Sequence, residues 1–245
     1  MYPTIIELFG IEISSFGFMV GIAFLVSGYL AARSFERAGL PGDDGWRVTV
    51  WALVGGIAGS KLWYAFEHLA RGEGGNLVEL FFARVGLTWY GGLVGGVVAS
   101  LLCIRVTKLP WLTVFNCAAP SLAIGQAIGR VGCFLVGDDY GRVTDAPWGI
   151  AFPNGLPPTE APVHPTMLYE MAWLVPVFAW LWSRRGRSPF LFGEYLFFAG
   201  LGRLWIEAFR TNPVLVASLS NAQAVALACM VAGAWGWLYL RGHHT

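Results

Sequence analysis

The sequence predicts an all-α fold: a polytopic integral membrane protein with about seven transmembrane helices. Three observations predict it. Hydrophobic residues make up 56% of the chain and charged residues only 13%, where a soluble domain carries about 25% charge. Apolar runs near the ~20 residues needed to cross a bilayer recur seven times. Glycines pair at four-residue spacing, as in Gly17 and Gly21, Gly55 and Gly59, Gly91 and Gly95, and Gly125 and Gly129. Small residues at that interval let membrane helices approach closely.

The runs lie at 14–32, 46–66, 88–104, 111–128, 166–182, 190–208 and 222–240. The N-terminal MYPTIIELFG has no positively charged leader, so the first run is expected to direct insertion itself. Trp46, Trp89, Trp111 and Trp182 stand near run ends, where indole rings anchor at the interface. Pro165 fixes the chain's direction into the fifth run, and Thr166 is expected to cap that helix. Basic residues in the short loops give the orientation. Arg33, Arg37, Arg47, Arg105, Lys108, Arg184, Arg185, Arg187 and Arg241 fall on one side. Arg71, Arg84, Arg130, Arg142 and Arg210 fall on the other. The N-terminus is therefore expected outside, the C-terminus in the cytoplasm, and the polar region 129–165 outside. No second domain, long linker or repeat interrupts 1–245, which reads as one domain.

A formal net charge of +1 names no partner, and no basic stripe of the kind nucleic acid requires is present. Cys103, Cys117, Cys133 and Cys229 are far apart, without CxxC or metal-ligand spacing. No P-loop, GxSxG, HExxH or dinucleotide fingerprint occurs.

The stretch 123–169 concentrates the chemistry. It reads as an apolar helix that breaks at its glycines, with Arg130 at the break. An arginine beside a membrane-length apolar segment is costly and needs a reason. Four polar patches gather toward the outer side. Thr88 to Gly92 places Tyr90 before Gly91 and Gly92, whose bare backbone lets a ligand come close. The loop after Arg130 brings Asp138 and Asp139, which can orient arginines or hold the loop, while Gly129, Gly132, Gly137 and Gly141 permit a tight path. His164 to Glu170 brings a candidate proton relay in His164 and a carboxylate, Glu170, that needs a partner at membrane depth. Arg203, Glu207 and Arg210 share one helical face. Glu207 is expected to pair with Arg203, which leaves Arg210 free for a ligand. A guanidinium is a planar fork of donors suited to phosphate oxygens. Arg130 and Arg210 therefore read as a phosphate clamp in an outward, lipid-accessible cavity. Its catalysis would rest on stabilising a departing phosphate.

These residues resemble the prolipoprotein diacylglyceryl transferase family. The resemblance is carried by GGIAGSKLWY at 55–64, YGGLVGG at 90–96, GRVGCFLVGDDYG at 129–141, HPTMLYE at 164–170, RLWIEAFRTNP at 203–213, and the Ser220-Asn221-Ala222-Gln223 lead into the last run. It implies an inner-membrane enzyme of bacteria that moves the diacylglyceryl group of phosphatidylglycerol onto the lipobox cysteine of prolipoprotein signal peptides. The products are a thioether and glycerol phosphate, with no metal or organic cofactor. Arg130 and Arg210 match the family's essential arginines and Gly141 its loop glycine. The chain differs from the best-known form at Tyr90, where that form has histidine, and at Cys133, where it has asparagine. Asp138 stands for glutamate and Phe16 for tyrosine. A variant with tyrosine before the two glycines is also familiar, with two cysteines where Asp138 and Asp139 stand here.

The thiol's proton acceptor stays open between His164, hydroxide, and ionisation of the thiol beside the arginines. Tyr90, a phenol, is a poor base at neutral pH. The expected catalytic residues are Arg130, Arg210, Tyr90 and His164. The expected substrate contacts are Arg130, Arg210, Gly91, Gly92, Gly141, Asp138, Glu170, Glu207 and Arg203. Two other classes compete. A non-catalytic homologue would bind phospholipid or lipoprotein without lipidating peptide. An anion transporter would need polar residues across the full bilayer depth, whereas here they cluster outside, with Lys61, Glu194 and Arg203 as exceptions.

Overall fold

The computed structural model describes residues 4–8, 11–72, 74, 76–82, 86–211, 214–216 and 219–242. Arg84 and the Asn212-Pro213 pair lie outside the described residues. Each of the seven apolar runs is a helix: α1 (Ser15–Arg37), α2 (Gly42–Ala70), α4 (Trp89–Thr107), α5 (Trp111–Val136), α6 (Thr166–Ser183), α7 (Leu191–Glu207) and α8 (Asn221–Gly242), with a short α3 (Leu77–Phe82) between α2 and α4. Four of them, α1, α4, α5 and α8, are long and apolar enough to cross a membrane. Their surfaces agree. Leu25, Val106, Val231, Trp235 and Leu238 are 63–71% exposed, which suits a lipid surround better than water.

Among the described residues the fold is mostly helical but carries three small antiparallel pairs that the all-α reading did not contain. These are β1 (Thr4–Leu8) with β2 (Ile11–Ser14), β3 (Ile150–Phe152) with β4 (Thr159–Val163), and β5 (Val214–Val216) with β6 (Leu219–Ser220). They are two to five residues long, too short for an alternating pattern to show in sequence.

The chain divides into two compact units. In the unit of residues 31–114, α2 packs on α4 through bare glycine faces. A Cβ on Gly59 would lie 2.7 Å from Gly95 Cα, and one on Gly95 would lie 2.8 Å from Gly59 Cα. Thr88 Oγ1 donates to the Ser60 carbonyl at 3.0 Å, and Ser60 Oγ donates back to the Thr88 carbonyl.

The unit of residues 1–30 and 115–245 holds the polar cluster. Here α1 lies along α5, with Ser27 Oγ donating to the Ser121 carbonyl at 2.9 Å. Ala119, Ala123, Val177, Leu181, Leu191 and Tyr195 form the core shared by α5, α6 and α7. The Asn116 amide oxygen accepts from the Phe192 N–H at 3.1 Å, satisfying a donor at the start of α7. Two expectations are corrected in this unit. Helix α5 does not break at Gly129 or Gly132. It runs to Val136, because Gly132 packs against Phe16 and Met19 of α1, and such packing offsets the ~1 kcal/mol that a helical glycine costs. The chain turns only at Gly137, with φ +75°. Thr166 does not cap α6. Its Oγ1 instead donates to the Asp139 carbonyl at 2.7 Å.

Candidate active site

Three segments converge beyond the end of α5. Leaving α5 at Gly137, the chain passes Asp138, Asp139 and Tyr140 and is then tied on both sides. The Gly141 N–H donates to the His164 carbonyl at 2.8 Å, and the Arg142 N–H donates to the Phe209 carbonyl at 2.9 Å. The His164 N–H returns a bond to the Arg142 carbonyl at 3.0 Å. The loop is thereby held against the start of α6 and the end of α7. A Cβ at Gly141 would lie 2.9 Å from Thr166 Cγ2 and 3.0 Å from His164 Cβ, and closest of all to the Phe209 carbonyl oxygen. Only glycine lets these three strands of chain lie so near. Beneath them Phe152, Val163, Met167 and Cys133 form a small apolar core, and Tyr140 stacks on Phe152 with the rings 5.5 Å apart.

This crossing brings three arginines and three carboxylates together. Arg130, on α5, binds Asp139 Oδ2 at 2.6 Å and also Glu170. Arg203, on α7, binds Glu170 Oε1 at 2.7 Å and Glu207 Oε2 at 3.3 Å. Arg210, three residues past the end of α7, binds Asp139 and lies 3.7 Å from Glu170 Oε1 and 3.9 Å from Glu207 Oε2. Ser220 Oγ donates to Glu207 Oε1 at 2.6 Å. Each of these six charges has an opposite neighbour, as burial demands. Arg210 is therefore not free, contrary to the sequence expectation. Its side chain is 7% exposed and already holds a carboxylate.

Asp139 bridges the two arginines singled out in the sequence. Its Oδ2 faces Arg130 and its Oδ1 faces Arg210. Burial works to raise its pKa, but the Arg210 bond and the two positive charges outweigh that and hold the carboxyl at about 2. Asp139 also borders an open cleft of about 260 Å³ with Tyr140, Pro157, Arg210 and Thr211. Asp138 turns the other way. Burial first, with Asp139 adding to it, raises its carboxyl above the usual range, while a hydrogen bond with the Cys133 thiol pulls it back.

His164 Nδ1 meets the Tyr169 hydroxyl at 3.0 Å, and Trp148 Nε1 donates to the same oxygen at 2.7 Å. The His164 ring also packs on Phe209. Tyr90 lies on α4 in the other unit, half-exposed, with its ring edge-on to Trp89. Gly91 and Gly92 face α2. A Cβ on Gly91 would run into Trp63 Cβ and lie 2.5 Å from the Gly59 carbonyl oxygen, and one on Gly92 would come 3.1 Å from Ser60 Oγ. Their bare backbone is thus covered by helix packing in that unit. Of the two loop carboxylates expected to orient arginines or hold the loop, Asp139 is the one paired with both Arg130 and Arg210. The sequence did not distinguish it from Asp138.

The family model for prolipoprotein diacylglyceryl transferase matches residues 3–239. Curated relatives cover nearly the full length. The phosphatidylglycerol–prolipoprotein diacylglyceryl transferase of Trichormus variabilis is 32% identical over 98% of this chain and 90% of its own. The protein of the same name from Synechococcus elongatus is 31% identical over 97% of this chain and 87% of its own. That from Clostridium tetani is 29% identical over 95% of each.

Proposed function

The chain belongs to the prolipoprotein diacylglyceryl transferase family, and from that premise we propose that it transfers the diacylglyceryl group of phosphatidylglycerol to the thiol of the lipobox cysteine in prolipoprotein signal peptides. The observation that carries this reading is the shared anion. Arg130 and Arg210 already grip one carboxylate between them at the edge of a cleft, and a phosphate presents the same pair of oxygens.

In the reaction the peptide's sulfur attacks the glyceryl carbon that bears the phosphate. A carbon–sulfur bond forms and the carbon–oxygen bond to phosphate breaks. Glycerol phosphate leaves with the electron pair, and the thiol proton passes to a base. Arg130 and Arg210 stabilise the charge that grows on the departing phosphate. Glu170, Glu207 and Arg203 hold those guanidiniums in place, Gly141 lets the loop reach them, and Asp138 steadies the end of α5. His164, in the same unit as the clamp, is the preferred base. Tyr90, with Gly91 and Gly92, marks a family variant in which tyrosine replaces the usual histidine.

The seven long helices span the bacterial inner membrane, with the N-terminus outside, the C-terminus cytoplasmic and 129–165 facing outward. Residues 1–245 act as one transferase domain. Arg130→Ala is expected to abolish thioether formation on a lipobox peptide while the protein still inserts. Retained transfer by that variant overturns the clamp.

A further inference from the structure

The ion pairs balance, with Arg130, Arg203 and Arg210 facing Asp139, Glu170 and Glu207, and the Asp138 carboxyl lies close enough to act on Arg130 and Arg210 as well. A phosphodiester adds one negative charge. In a low-dielectric site that excess is costly, so one carboxylate must give way if phosphate is to take the arginines. The three carboxylates differ in how they are held. Glu170 and Glu207 stand on helices, their side chains 10% and 3% exposed, Glu170 among three arginines and Glu207 fixed further by Ser220. The Asp139 side chain is 36% exposed, stands in a loop and borders the cleft. Its backbone sits at φ +61°, a region that non-glycine residues seldom adopt. The Thr166 bond holds only its carbonyl, so the loop stays anchored whatever its carboxylate does.

We propose that Asp139 is a displaceable internal anion. Its carboxylate fills the seat between Arg130 and Arg210 while the site is empty and yields them to the phosphate of the substrate. This rests on the phosphate-clamp reading above. Glu170 reaches both guanidiniums, so they stay in place when the guest leaves and need no reorganisation when the phosphate arrives. Asp139 is thus a competing anion that sets affinity for any phosphate ester at this seat, whether a lipid headgroup or free glycerol phosphate. The bonds it gives up are charge-assisted, and removing that competition is worth about tenfold in affinity.

The test uses the full-length protein with phosphatidylglycerol diluted in phosphatidylcholine vesicles and a lipobox peptide. Asp139→Asn keeps the side chain's shape, and Asp139→Gly suits the positive φ. In both, the KM for phosphatidylglycerol should fall about tenfold, and free glycerol phosphate should inhibit more tightly by a similar factor. A residue that merely supports the fold would lower kcat or raise KM and would tighten neither. An unchanged or raised KM with unchanged inhibition overturns the proposal. So does a failure of both variants to fold, since a guest that leaves in every turnover cannot be a condition of folding. If only the lipid KM responds, the seat does not recognise the phosphate and the proposal also falls. Arg130→Ala, run alongside, separates the two readings. Transfer that survives it removes the clamp itself. Transfer lost there, with Asp139→Asn unchanged in KM, leaves the clamp standing and removes only the role of Asp139.

Discussion

Gly141 is where a single methyl group should be felt most. A side chain there has no direction to turn, because carbonyl, methyl and methylene groups from two other segments surround it. Overpacking of this kind costs about 1–3 kcal/mol. Gly141→Ala is expected to lower the unfolding temperature in detergent and to reduce transfer, since the strain falls on the bonds that hold Asp139 and Arg210 in place. Gly129→Ala is the matched control. Nothing lies within 4 Å of its added Cβ, so stability should stay level or rise by up to ~1 kcal/mol. At this scale much could be read in advance. Arg130, Glu170, Arg203, Glu207 and Arg210 drew notice because charge is scarce in an apolar chain. What could not be read was who holds whom. Arg210 and Asp139 are separated by 71 positions, and no periodicity links a loop residue to the far end of another helix.

Among the elements, the α2–α4 pair tests whether bare glycine faces hold the second unit together. Gly59→Ala would drive a methyl into the backbone of Gly91 and Gly95. It should lower thermal stability in detergent by about 1–3 kcal/mol, and an unchanged unfolding temperature would show that these helices can shift apart at little cost. The helices themselves were legible, since each apolar run became one. The continuation of α5 past Gly129 was not. Glycine and arginine together look like a stop signal, and the opposing packing comes from α1, more than a hundred residues earlier in the chain. The β3–β4 pair was hidden for a different reason. Its strands are three and five residues long, and the second contains a proline.

For the molecule as a whole, the proposed orientation can be tested by labelling. Cys103, Cys117 and Cys133 are buried, so after Cys229→Ser the background should be low. With Asn154→Cys, intact spheroplasts should react with a membrane-impermeant maleimide. With Arg187→Cys, reaction should require permeabilisation. The reverse pattern overturns the assignment of sides. The balanced ring of charges also bears on how the protein is made. Through the end of α6 a nascent chain carries Arg130 against Asp139 and Glu170, and α7 with the three residues that follow it supplies Arg203, Glu207 and Arg210. Until the ribosome has delivered that segment, the half-made protein holds a surplus acid among its inserted helices. Arrival of the two late arginines restores the balance, so the charge cluster is complete only once α7 and the residues after it have been made.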